Sequence, residues 1–169
     1  RISIGNEYLD YDQVVLACHA DQSLNILDDP TEKEKEILNK FTYVPNRAFL
    51  HTDENLMPLR KKAWSSWNSI TKESKTCVTY WLNKLQNLKT DKNYFLTLNP
   101  VEKIEENQVI QQVQFTHPYF NNENVNSQKD LHLLQGRKRT WFCGSYFGYG
   151  FHEDGLKSSI ELIKNFKAQ

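Results

Sequence analysis

The sequence has no excess of either charge: Lys plus Arg and Asp plus Glu each number 21 among its 169 residues, and the formal net charge is zero. That balance removes the electrostatic attraction on which nonspecific nucleic-acid or anionic-membrane binding depends, so neither partner is expected. No apolar run approaches the ~20 residues of a membrane-spanning helix, and no signal-peptide pattern opens the chain. The three cysteines, Cys18, Cys77 and Cys143, are odd in number and far apart, which provides neither a disulfide framework nor a CxxC metal site. A reducing cytoplasm suits them, and the chain reads as a soluble cytoplasmic protein. His19, His51, His117 and His132 show no HExxH or paired spacing, so no metal site is expected. Also absent are a GxGxxG fingerprint and a Gly-Lys-Ser/Thr phosphate loop. Arg1 is not methionine and a strand-like Arg-Ile-Ser-Ile run begins at once, from which a preceding segment is expected.

Apolar periodicity organises the rest. Val14 to Ala17 are four consecutive apolar residues, the pattern of a short strand buried on both faces, as in a parallel sheet covered by helices. Asp29-Pro-Thr-Glu32 gives a helix start, with Asp29 as N-cap, Pro30 at the first helical position and Glu32 placed for a capping box, and the helix is expected to run to about Asn39. Runs at 41–50, 76–82, 94–98 and 109–115 are β-rich and suggest an antiparallel sheet; in the last, Gln111, Gln112 and Gln114 alternate with Val109, Val113 and Phe115, as on a strand with one wet face. Residues 121–127 read as a polar loop, Ser127 as the N-cap of a helix through Leu134, and Gly136 as its left-handed stop. A strand from Thr140 to Cys143 follows, then a final helix with Leu156, Ile160, Ile163 and Phe166 on one face.

Between that strand and helix lies the feature richest in chemistry, a loop with glycines at 144, 148, 150 and 155 and aromatics at Tyr146, Phe147, Tyr149 and Phe151. Glycines let backbone approach a ligand closely ahead of a helix N-terminus. Glu153 and Asp154 at the helix start would repel a pyrophosphate and favour a neutral polar ligand edge. The same composition also describes a plain strand-loop-helix corner whose acids cap the helix.

Three stretches carry a family resemblance: Asp-Gln-Val-Val-Leu-Ala-Cys-His-Ala-Asp-Gln-Ser-Leu at 12–24, the Leu-His-Thr-Asp, Met-Pro and Ala-Trp-Ser-Ser-Trp-Asn segments between 50 and 68, and Thr-Trp-Phe-Cys-Gly-Ser-Tyr-Phe-Gly-Tyr-Gly-Phe-His-Glu-Asp-Gly-Leu at 140–156. On these the sequence resembles the C-terminal portion of the flavin-containing amine oxidase-like proteins, in particular the bacterial NAD/FAD-binding oxidoreductases. The resemblance implies an α+β chain: a fragment of a Rossmann-like FAD-binding domain, contributed by residues 1–40 and 127–169, flanking an antiparallel substrate-domain sheet at 41–126. It implies FAD in the full-length protein and oxidation of an organic substrate by hydride transfer to the flavin. The family's opening GxGxxG turn and its acidic ribose contact have no counterpart here, so the phosphate grip on FAD is expected in a missing N-terminal part of the same protein. This chain alone is expected to be inactive.

Carried over by resemblance, Ala17 and Cys18 end a strand near the FAD phosphates, Gly144 and Ser145 approach the ribityl or pyrophosphate region, and Asp154, Gly155 and Leu156 offer N–H groups to the flavin ring. Ser145 stands where many family members have an acid. His152 has two open readings, a contact to the ring or a bond to a backbone carbonyl. Trp67 and Asn68, with Tyr146 and Tyr149, are candidates for lining the substrate site, against the reading that they pack; Trp64 and Trp67 are spaced as on a helical turn. The Arg137-Lys-Arg139 cluster reads as a solvated turn. No catalytic residue is assigned. The substrate is an amine or an unsaturated or acyl lipid-like compound, with the electron acceptor open, and an oligomer is allowed because the final helix and the Val14 strand would expose apolar faces without their neighbours. Two rivals remain: a noncatalytic α+β binding module using the aromatic loop as a partner surface, and a hydrolase with Cys77 or Cys143 as nucleophile and His152 as base.

Overall fold

The computed structural model describes residues 1–167. In chain order the elements are β1 (Ile2–Ile4), β2 (Glu7–Leu9), β3 (Val14–Leu16), α1 (Ala20–Ile26), α2 (Glu32–Leu38), β4 (Thr42–His51), β5 (Trp67–Lys72), β6 (Lys75–Trp81), α3 (Leu82–Leu85), β7 (Phe95–Leu98), β8 (Val109–Tyr119), α4 (Asn122–Ser127), β9 (Thr140–Phe142) and α5 (His152–Lys167). They form two compact units, residues 1–44 with 118–169, and residues 45–117.

In the first unit β3 and β9 pair in parallel, Val14 with Thr140, Val15 with Trp141 and Leu16 with Phe142. Pleating sends alternate side chains to opposite faces. Leu16 and Phe142 therefore enter one core with Ala20, Ile37, Leu38 and Leu134, while Trp141 and Cys143 pack with Leu162 of α5 on the other face. The β1–β2 hairpin turns at Gly5, whose φ of 60° suits glycine.

Helix α2 starts at Thr31 rather than at the expected Asp29. The Thr31 hydroxyl accepts from the Glu34 amide at 3.2 Å, and the Glu34 carboxylate accepts from the Thr31 amide at 2.6 Å, a reciprocal pair that satisfies two otherwise orphaned donors. Asp29 instead pairs with Lys138 at 2.8 Å. Residues 121–127, expected as a loop, form α4: the Asn121 and Asn124 side chains each accept from the other's amide, at 2.9 and 3.0 Å, so asparagine supplies the cap. Ser127 is both the last residue of that helix and the N-cap position of the segment that follows, but its hydroxyl makes no capping bond there and donates to the Glu123 carbonyl instead. A 3-10 segment, Gln128–Leu134, leads to Gly136, which has the left-handed conformation expected of a helix stop.

The second unit is built on a five-stranded sheet in the order β5-β6-β7-β4-β8, with β5–β6, β6–β7 and β7–β4 antiparallel. Trp67, spaced from Trp64 as on a helical turn, lies with Asn68 on β5 instead. The β5–β6 turn carries no glycine: Glu73 and Ser74 take φ of 48° and 65°, which hid the hairpin from a glycine-based reading. One sheet face holds a buried polar chain, with His51 Nε2 2.8 Å from Thr97 Oγ1 and Thr97 Oγ1 2.8 Å from Thr79 Oγ1. On the other face the pairing places Trp67, Tyr80, Leu96 and Leu50 in one uncharged row. On β8, Val109 and Val113 are half-buried while Phe115 is exposed.

A candidate cofactor edge at the ends of two parallel strands

Both strands of the parallel pair run at their carboxyl ends into helical backbone. β3 continues through Ala17 and Cys18 to α1, and β9 through Cys143 and Gly144 to a 3-10 turn, Ser145–Phe147, and then α5. In α/β sheets this is the edge where ligands collect. The Cys143 amide donates to the Leu16 carbonyl at 3.1 Å, which carries the pairing one step past the strands. A Cβ on Gly144 would stand 3.3 Å from the Cys18 carbonyl oxygen, and one on Gly155 would stand 3.8 Å from the Ser145 nitrogen. Cys18, Gly144, Ser145 and Gly155 thus converge at one edge, with Ala17 exposed beside them.

Sequence reading passed over the residue that fastens this edge. Ser158 Oγ accepts from the Gly144 amide at 2.9 Å and donates to the Gly155 carbonyl at 2.8 Å, tying the end of β9 to the first turns of α5. A serine inside a helix gives no signal of such a role, because it appears only once the strand is placed beside it.

Asp154 turns its carboxylate inward, accepting from the Tyr149 amide at 2.9 Å and the Phe151 amide at 3.0 Å. The amides of Asp154 and Gly155 both donate to the Phe151 carbonyl, at 3.0 and 3.3 Å, and Leu156 is exposed one residue further on. Three glycines serve close packing of the chain on itself: an added Cβ would lie 2.8 Å from the Tyr146 ring at Gly144, 2.4 Å from the Asp154 carboxyl carbon at Gly148, and 3.2 Å from Pro118 and Phe120 at Gly150. His152 and Glu153 are exposed on the opening turn of α5.

Beneath the edge lies a half-polar layer. The Cys18 sulfur sits 3.3 Å from Ser23 Oγ, the Tyr43 hydroxyl accepts from the Ala20 amide at 2.9 Å, and the Tyr43 ring stacks on His19 at 4.3 Å. Burial pushes the Tyr43 phenol up to about 12 and raises that of Tyr146 as well. Both stay protonated at neutral pH and are not bases; the Tyr43 hydroxyl serves as a hydrogen-bond acceptor, whereas that of Tyr146 is buried without a partner among the described residues.

Of the four candidate lining residues, two belong to each unit. Tyr146 is 2 % exposed, edge-on to Phe41 in the core, whereas Tyr149 is 67 % exposed. Trp67 is exposed on β5, and Asn68 is buried with its amide shared among the Ser65 backbone, the Thr79 carbonyl and the Met57 sulfur. A cleft of about 1100 Å³ in the first unit opens at the amino ends of β3 and β9, lined by Tyr8, Tyr11, Asp29 and Arg139, and none of the cofactor candidates lines it. Its place at the far end of the strands sets it apart from the carboxyl edge. No cluster of three or more His, Cys, Asp or Glu suited to a metal ion occurs among the described residues.

The nearest charged side chains on the helices that follow the two strands, Asp21 on α1 and Glu153 and Asp154 on α5, are acidic. Such an edge suits an uncharged polar ligand surface and disfavours phosphate. An uncharged polar ligand surface therefore fits the residues present better than a phosphate does.

The architecture as a whole is a mixed helix-and-sheet fold with an antiparallel sheet, and it occurs in solved structures. The chain is similar to the CLA-producing fatty acid isomerase from P. acnes, with a TM-score of 0.58 and 13% sequence identity, over 92% of this chain and 41% of that one. It is equally similar to a protein from Exiguobacterium sp. 255-15 provisionally assigned as a protoporphyrinogen oxidase, with a TM-score of 0.57 and 11% identity, over 93% of this chain and 41% of that one. The chain thus spans well under half the length of either. No family model and no curated protein matches the sequence. None of the described helices is long and apolar enough to cross a membrane.

Proposed function

We propose that the chain is the rear part of an FAD-dependent oxidoreductase of the amine oxidase-like type, in which residues 1–40 and 127–169 complete an FAD-binding domain and residues 41–126 form the substrate domain. The observation that carries the reading is the parallel β3–β9 pair, with Cys18, Gly144, Ser145 and Gly155 converging at its carboxyl edge. Shared fold with the two solved structures supports it. Backbone at Ala17, Cys18, Gly144 and Ser145 would line the cofactor, Ser158 would hold that backbone in place, and the exposed His152 would stand at the margin. When bound, FAD would supply the redox chemistry by accepting a hydride from the substrate. The uncharged row of Trp67, Tyr80, Leu96 and Leu50 favours an apolar organic or lipid-like substrate over a charged one. The reading carries a cytoplasmic location.

A visible absorbance spectrum of the protein extended upstream of Arg1 tests this proposal. Flavin bands that bleach on reduction are the expected result, and a folded, colourless product that takes up no added FAD overturns it. The second reading, a noncatalytic α+β binding module, draws on Tyr149 and Phe151, which are 67 % and 69 % exposed. It gains first place on that colourless outcome.

A further inference from the structure

The second unit contains a cavity on the sheet face that carries its buried polar chain. Phe49 pairs with Thr97 across β4 and β7 and shares its face, opposite the row of Trp67, Tyr80, Leu96 and Leu50. Strand β7 ends at Leu98, and Asn99, with φ of 48°, turns the chain in the left-handed conformation that asparagine tolerates. Asn99 also fastens itself to β4. Its amide donates to the Arg47 carbonyl at 2.8 Å, its side-chain oxygen accepts from the Arg47 amide at 3.0 Å, and its Nδ2 donates to Asn46 Oδ1 at 2.6 Å. At the far end of the segment the buried Asp53 carboxylate accepts from the Glu105 amide at 3.0 Å. Residues 99–105 are thus pinned at both ends.

Between the pins, Val101 and Ile104 join a small core with Leu56 and Cys77, against which Phe49 and Val109 also pack. That packing stops short of closure. A cavity of about 600 Å³, within the size range of small-molecule sites, opens beside it and is lined by Phe49, Val101, Ile104 and Val109. The charged residues around it divide unequally. Lys103 pairs with Glu106 at 2.9 Å and Glu102 pairs with Lys72, so those charges are neutralised locally. The Arg47 guanidinium, exposed at the same cavity, forms no ion pair among the described residues.

We propose that this cavity binds an amphipathic monocarboxylate, an alkyl or aryl acid whose apolar body lies against Phe49, Val101, Ile104 and Val109 and whose carboxylate meets the Arg47 guanidinium. The planar fork of a guanidinium matches the two oxygens of a carboxylate, and Asn99 fixes the backbone from which Arg47 projects. An amine would meet the unpaired positive charge of Arg47, and a phosphate monoester would bring a second negative charge beside Glu102 and Glu106. The site goes beyond the flavin reading and does not depend on it, because all its residues belong to the second unit.

The test titrates octanoate, octan-1-ol and octylamine into the full chain and follows methyl NMR shifts and calorimetric heats. Octanoate is expected to saturate one site, to shift the methyls of Val101, Ile104 and Val109, and to bind about 5-fold or more tightly than octanol, with octylamine weaker still. Arg47→Gln should remove that advantage and leave octanol binding unchanged, and Arg47→Lys, which keeps the charge without the fork, should restore part of it. Val101→Trp, which fills the cavity, should abolish binding of both, with circular dichroism matching the parent as the check on its fold. Arg60→Gln, outside the cavity, should change neither affinity. The absence of saturable octanoate binding, shifts that map elsewhere, octylamine binding as tightly as octanoate, or an octanoate affinity indifferent to Arg47→Gln overturns the proposal.

Discussion

At the residue scale, two positions, Gly144 and His51, show how little room the chain leaves. Gly144→Ala would drive a methyl to 2.8 Å from the Tyr146 ring at the centre of the candidate edge. Overpacking of this kind costs about 1–3 kcal/mol, and a lower denaturation midpoint would register it. His51 is fully buried against Thr97, and burial pushes its imidazole below the ordinary histidine value, with Asp53 pulling the other way without outweighing it. Folded protein therefore holds His51 neutral while the unfolded chain takes up a proton below about pH 6.5. Its contribution to stability is complete above that pH and is lost as the pH falls toward the lowered folded value. Melting temperatures taken between about pH 7 and about pH 5 should fall, and His51→Gln should flatten the slope. A capping test belongs here too: Thr31→Ala, which removes the hydroxyl facing the Glu34 amide, should cost about 1 kcal/mol by thermal melting, while Asp29→Ala, at a solvated ion pair, should cost far less. The Thr31–Glu34 box stands in the sequence as Thr-x-x-Glu and is as legible as the Asp29-Pro30 start. The two signals overlap by two residues, and the reciprocal geometry decided between them.

At the scale of elements, β4, β6, β7, β8 and β9 were readable because β-branched and aromatic residues cluster there between turn residues. The β5 strand was not. Its turn has Glu73 and Ser74 in the left-handed region, where side chains other than Asn, Asp or Gly sit at a cost. Replacing them together, Glu73→Asn with Ser74→Gly, should raise stability by about 0.4–1 kcal/mol, measured as a shift in denaturation midpoint; an unchanged or lowered midpoint would mean that this turn is not strained. Helix α5 shows the converse case. Its periodicity was plain, yet the side that buries is Ser158 and Leu162; of the expected apolar face, Leu156, Ile160 and Ile163 are about half exposed, while the Phe166 ring lies 5.4 Å from that of Trp141. Hydrophobic spacing marks every face able to bury and cannot say which neighbour is present to bury it.

At the scale of the whole molecule, equal numbers of acidic and basic residues leave no net charge near neutrality to keep copies apart, and exposed aliphatic surface on α5 adds attraction. Solubility in a polyethylene glycol series should pass through a minimum near neutral pH and rise on either side; a flat profile would show that the exposed apolar surface, not charge, controls association. The sequence by itself determined the kind of most elements, β5 and α4 excepted, together with the charge balance and the loop chemistry, since propensity, capping and composition act over a few neighbouring residues. Tertiary structure alone decided that β3 and β9 lie side by side, that Ser158 locks Gly144, that Tyr146 is core and Tyr149 is not, and that half of α5 remains uncovered. Those outcomes depend on contacts between segments far apart in the chain, where geometry and packing, not local preference, choose the partner.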